Sequence, residues 1–60
     1  MDNQIIKVYT VMFFDEVKDF VYESKGFLTQ EAAFKRGETG LMGIIGVKYF
    51  SIEAYYKLED

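Results

Sequence analysis

The chain opens with an apolar run that has no helical period. Residues Ile5 to Phe14 read IIKVYTVMFF, rich in β-branched and aromatic side chains, and this pattern predicts a β-strand. Alternation places Ile6, Val8, Met12 and Phe14 on one side. It places Ile5, Tyr9, Val11 and Phe13 on the other, with Lys7. Both sides are apolar, as expected of a central strand or of one covered by a second subunit. The polar cluster Asp15, Glu16, Lys18, Asp19 marks a turn. Val17 to Lys25 then reads as a second strand, antiparallel to the first, with Phe20, Tyr22 and Ser24 on one face and Val21 and Glu23 on the other. Gly26 is expected to end it.

Helical signals follow. Thr29 can accept a backbone N–H as N-cap, Glu31 suits the positive end of the helix dipole, and the residues up to Arg36 are mostly good helix formers. Ala33, Phe34 and then Leu41 are expected to face the sheet. Gly37 and Gly40 weaken the second half, so the helix is expected to end between Arg36 and Met42. The remaining segment, Ile44 to Leu58, predicts one long strand, or two broken near Phe50 and Ser51. One face carries Ile44, Phe50, Ile52, Ala54, Tyr56 and Leu58. The other carries Ile45, Val47, Tyr49 and Tyr55. The fold class that results is α+β: a small antiparallel sheet with one helix packed on it, in the order ββαβ, as a single protein-binding domain over residues 1–60.

Composition narrows the function. Half of the 60 residues are apolar, 18% are aromatic, and Cys, His, Trp and Pro are absent. For a chain this short, apolar burial and conformational entropy come out level at roughly 90 kcal/mol each. Small folds break such a tie with disulfides, metals or partners. Zero Cys and zero His remove the first and leave no ordinary zinc ligands. Association with another chain remains, and a homodimer is the expected form. The absence of Cys places the chain in the cytoplasm, and no signal peptide or membrane span is expected.

Seven Lys and Arg against ten Asp and Glu give a formal charge of −3. The basic residues are scattered, so direct nucleic-acid binding is not expected. Nor is catalysis. The hydroxyls Ser24, Thr29 and Ser51 have no evident base, and a core of this size leaves little room for a catalytic pocket. No cofactor or metal is implied. Gly37, Gly40, Gly43 and Gly46 recur every third residue without the lysine of a phosphate loop, the Pro of collagen or the basic setting of a nucleic-acid clamp. They read as a helix C-cap, a pliable turn and a glycine bulge leading into the last strand.

Two groups remain as candidate binding residues. Asp15, Glu16, Asp19 and Glu23, with Tyr22, follow the first hairpin. They are either a solvated turn with the wet face of a strand, or a negative patch that meets a basic groove on another protein. The second group is aromatic. Eleven Phe and Tyr exceed what one small core hides, and Tyr is favoured where chains meet. Tyr9, Val47, Tyr49 and Tyr55 are the expected dimer or apolar surface.

These features resemble the small phage-encoded inhibitors of uracil-DNA glycosylase. The likeness rests on an acidic chain of this length without Cys and built as ββαβ. It also rests on Tyr9-Thr10-Val11 at a strand start, on Tyr22-Glu23 shortly before Lys25-Gly26, and on Gly37 with Thr39 after a helical insert. It spans roughly Tyr9 to Thr39. The resemblance implies a homodimer that mimics DNA with acidic groups, holds an apolar finger of the host enzyme in an aromatic-lined pocket, and uses Tyr22 and Glu23 as contacts. The helix differs, since it presents Ala32, Ala33, Lys35 and Arg36 where the family is acidic and aromatic. The expected function is therefore an inhibitor that blocks a host nucleic-acid-processing or defence enzyme through an acidic, aromatic surface. The alternative is a structural or regulatory subunit that self-assembles through apolar sheet surfaces.

Overall fold

The computed structural model of the chain describes residues 4–59. Its elements are β1 (Gln4–Phe14), β2 (Phe20–Phe27), α1 (Gln30–Gly43) and β3 (Tyr49–Glu59). The strands form one antiparallel sheet in the order β2-β1-β3. This is the ββαβ arrangement of an α+β fold. β1 is the central strand.

The register fixes the two sides of the sheet. Phe13 pairs with Phe50, Val11 with Ile52 and Tyr9 with Ala54 on the side that receives α1. Phe14 pairs with Tyr49, Met12 with Ser51, Thr10 with Glu53 and Val8 with Tyr55 on the open side. The core is small and lies under the helix. Val11, Phe13, Ala33 and Val47 are buried, with Tyr9, Phe27, Ile44, Phe50 and Ile52 packed around them. Phe13 is its centre. Its ring lies 6.2 Å from that of Tyr22 and 6.4 Å from that of Phe50, and the Arg36 guanidinium sits 5.7 Å from its centroid.

The helix begins as its cap signal dictates, with Thr29 Oγ1 accepting from Ala32 N at 3.1 Å. It ends one residue past the expected interval of Arg36 to Met42. It runs through Gly37 and Gly40 to Gly43 and closes with Ile44 N donating to Gly40 O at 2.9 Å. The buried stripe is Ala33, Gly37 and Gly40, not Ala33, Phe34 and Leu41. Phe34 is half-exposed and only edges onto Phe50. A Cβ added at Gly37 would run into the Phe50 ring, and one added at Gly40 into the Phe13 ring. The glycine spacing is thus a seam that lets the helix backbone approach two aromatic rings, and tertiary packing outweighs the propensity penalty of about 1 kcal/mol per glycine.

Two further expectations change. β2 starts at Phe20 and continues through Gly26, which adopts a left-handed φ of 93°. The register slips there, between Tyr9–Phe27 and Thr10–Lys25, and again between Phe13–Tyr22 and Phe14–Phe20. Each slip inserts one extra residue into β2, in the manner of a β-bulge. As a result Phe20 and Tyr22 do not share a face. Phe20 joins Phe14 on the open side, at 6.4 Å between centroids, and Tyr22 joins Phe13 under the helix. Residues 44–48 are not strand but a connection whose Val47 drops into the core. Lys48 N donates to Phe14 O at 2.8 Å and starts β3 beside the end of β1. From Tyr49 on, β3 is a single unbroken strand.

The molecule is a slab 46 Å long and 12 Å thin. A 14-residue helix reaches about 21 Å, whereas the 11-residue strands β1 and β3 reach about 37 Å. The far end of the β1–β3 ribbon therefore projects beyond both α1 and β2.

Candidate functional site

No group of three His, Cys, Asp or Glu that could hold a metal ion occurs among the described residues, and every buried side-chain polar atom there has a partner. No helix of the described residues is long and apolar enough to cross a membrane. What the fold presents instead is surface.

The first surface is the β1–β2 turn and the aromatic end of the sheet beside it. Asp15 builds the turn. Its Oδ1 accepts from Val17 N at 3.0 Å and from Asp19 N at 2.9 Å, while Asp15 O accepts from Lys18 N at 2.9 Å. Such Asx contacts are a common way for a short polar side chain to close a turn. The geometry forces Lys18 into the left-handed region, φ 66°, where a non-glycine residue is strained. Its ammonium is 5.4 Å from the centre of the Tyr49 ring. An open groove of about 310 Å³ lies here, lined by Phe14, Lys18, Tyr49, Phe50 and Ser51. Tyr49 in its lining is 46% exposed, and Phe20, edge-on to the lining ring of Phe14, is 58% exposed.

The five acidic-hairpin candidates do not form one patch. Glu16 and Asp19 are exposed at the tip, but Asp15 is committed to the turn. Glu23 lies on the open side, where its Oε2 accepts from the Thr10 hydroxyl at 2.9 Å and its Oε1 is 4.0 Å from Lys25. Tyr22 is on the opposite side, against Phe13. Lys18 lies within the turn, and Lys48 is brought beside it by its backbone bond to Phe14, so these two cations offset part of the negative charge of Asp15, Glu16 and Asp19.

The apolar candidates also separate. Val47 is 5% exposed and belongs to the core, which corrects its placement on an outer surface. Tyr9 lies on the helix side, with Lys7 Nζ 5.4 Å from its ring. Tyr49 and Tyr55 share the open side but stand six positions apart on β3, roughly 20 Å along the strand.

A further apolar surface lies outside the residues that the sequence marked as candidates. On the projecting ribbon, Ile5, Tyr56 and Leu58 are 71%, 65% and 64% exposed, all on the helix side, with no helix above them. Their shared face was readable from alternation. Their exposure follows only from the mismatch between helix and strand lengths. Next to them runs the second unsupported feature, the outer edge of β3, the strand at one margin of the sheet. Its pairing with β1 has no register shift over its whole length.

Comparison with protein-family models, with curated proteins and with solved structures finds no match for this chain.

Proposed function

We propose that this chain is a non-enzymatic protein-binding domain that completes its apolar surface on another folded chain. The observation that carries the reading is the overhanging ribbon. Ile5, Tyr56 and Leu58 lie together on one face beside Lys7, with no layer above them, and exposed apolar side chains grouped in this way mark an interaction surface. Two strands alone are only marginally stable in water, so a ribbon of this length gains from a partner that covers it. The lack of Cys suits a reducing compartment, and the reading places the domain in the cytoplasm.

The test is a paired substitution. Tyr56→Ser with Leu58→Ser should leave the thermal unfolding of the dilute chain nearly unchanged, because both side chains are about two-thirds exposed. The same variant should abolish association, whether with another copy or with a protein captured and identified from a host lysate. A variant that associates as the wild type does, or that unfolds outright, overturns the reading.

A second reading is favoured by Glu16 and Asp19, which stand exposed at the hairpin tip with Phe20 following directly in the chain. In it the domain is a phage-type inhibitor that inserts an acidic, aromatic tip into the basic cleft of a host nucleic-acid-processing enzyme, with uracil-DNA glycosylase as one candidate target. Salt separates the two readings. Binding steered by the acidic tip weakens as ionic strength rises, whereas apolar association holds or tightens.

A further inference from the structure

We propose that the partner of the β3 edge is a second copy of this chain, paired antiparallel through β3 about a two-fold axis at Tyr55. The inference rests on the protein-binding reading above and names its occupant.

The three free edges of the sheet are not equivalent. β2 is interrupted by two register shifts, and bulges are a common protection against edge pairing. β1 is free of β2 only over Gln4–Val8, because their pairing ends at Tyr9 and Phe27. β3 alone offers eleven residues in unbroken register, without a bulge and without the Pro that blunts many edges.

Its side-chain pattern is self-complementary about Tyr55. In an antiparallel pair centred there, Glu53 of each copy faces Lys57 of the other, which gives two opposite-charge pairs flanking the axis. Glu53 and Lys57 both lie on the open side, because their β1 partners are Thr10 and Ile6. Four positions apart on one strand, they are too distant to pair within a copy. On the helix side, Ile52 faces Leu58 and Ala54 faces Tyr56. Each contact sets an overhanging apolar residue against a smaller or partly covered one. Opposed cross-strand pairs of these kinds are the stabilising unit of a sheet. The interface is isologous and closed, as most homodimer interfaces are. The product is a continuous sheet in the order β2-β1-β3-β3-β1-β2, with both helices on the same side. Leu58 of each copy then reaches toward the helix-covered end of the other, where Ile52 lies in the core layer.

The test combines sedimentation with a charge swap on the full chain. Wild type at roughly 100 µM should sediment as a dimer, and Glu53→Lys or Lys57→Glu alone should weaken it by about 10-fold or more, because like charges then face each other twice. The combined Glu53→Lys/Lys57→Glu variant should restore the dimer. Since the chain has no Cys, Tyr55→Cys should form a disulfide-linked dimer under mild oxidation, because directly opposed residues meet the distance such a bond requires. A dimer indifferent to both charge reversals, or one in which Ala54→Cys cross-links and Tyr55→Cys does not, overturns this arrangement. A wild type that stays monomeric overturns the homodimer itself. In that case the broader reading is judged separately, by whether the Tyr56→Ser/Leu58→Ser variant loses capture of another protein.

Discussion

Gly40 of α1 rests against the ring of Phe13 in β1, so closely that a methyl group in place of its hydrogen would enter the ring. Phe13 is fully buried and cannot move aside, because Tyr22, Phe50 and Arg36 surround it. Gly40→Ala should therefore destabilise the fold by about 2 kcal/mol, since overpacking outweighs the gain in helix propensity of about 1 kcal/mol. Gly43→Ala in the same helix meets open space and should be neutral or gain up to about 0.5 kcal/mol. Urea unfolding of the two variants compares them directly, and equal effects would refute the seam.

Gly26 isolates backbone strain from packing. Its φ is 93°, and nothing lies within 4 Å of where a Cβ would stand. Gly26→Ala should cost about 1–2 kcal/mol through the left-handed conformation alone. Gly26→Asn should cost less, because Asn tolerates that region better. Chemical denaturation of both checks the order.

Lys18 presents the reverse case. It occupies a left-handed position that glycine would take without strain. Lys18→Gly should raise stability by about 0.5 kcal/mol net, after the greater freedom of the unfolded chain and the lost contact with Tyr49 are subtracted. Lys18→Ala keeps the strain and loses the contact, so it should lower stability by a similar amount of about 0.5 kcal/mol. If Lys18→Gly weakens partner binding while stabilising the fold, the strained lysine belongs to the interface.

Thr10 is buried on the open side, and its hydroxyl reaches both Glu23 Oε2 at 2.9 Å and Ser24 O at 3.2 Å. A hydroxyl has one proton, and the carboxylate at the shorter distance takes it. Thr10→Val should cost about 1 kcal/mol, and Glu23→Gln much less, because an amide oxygen still accepts. Thermal melts of the two variants and of the wild type measure the difference.

Thr29→Ala should cost about 1 kcal/mol by removing the acceptor for Ala32 N. Thr29→Ser should return nearly all of it. Melting temperatures of the three proteins decide whether the cap acts as the geometry indicates.

What the sequence determined by itself is the local grammar. β-branched and aromatic alternation made β1 and the 49–59 stretch strands and assigned their faces correctly, because period-two alternation depends only on neighbouring residues. Thr29 set the start of α1 because a cap is a contact three residues long. Composition excluded disulfides and the usual zinc ligands, since the chain has neither Cys nor His. Tertiary structure decided whatever depended on residues far apart in the chain. Gly37 and Gly40 look like helix breakers until Phe50 and Phe13 arrive to fill the space they leave. Phe20 and Tyr22 look like neighbours on one face until bulges against β1 separate them. Val47 looks like a strand residue on an outer face until the connection folds it beneath α1. The overhang of Ile5, Tyr56 and Leu58 exists only because a helix rises about 1.5 Å per residue and a strand about 3.4 Å. Packing the two side by side leaves the longer one uncovered, and that difference in length sets where apolar side chains stay exposed.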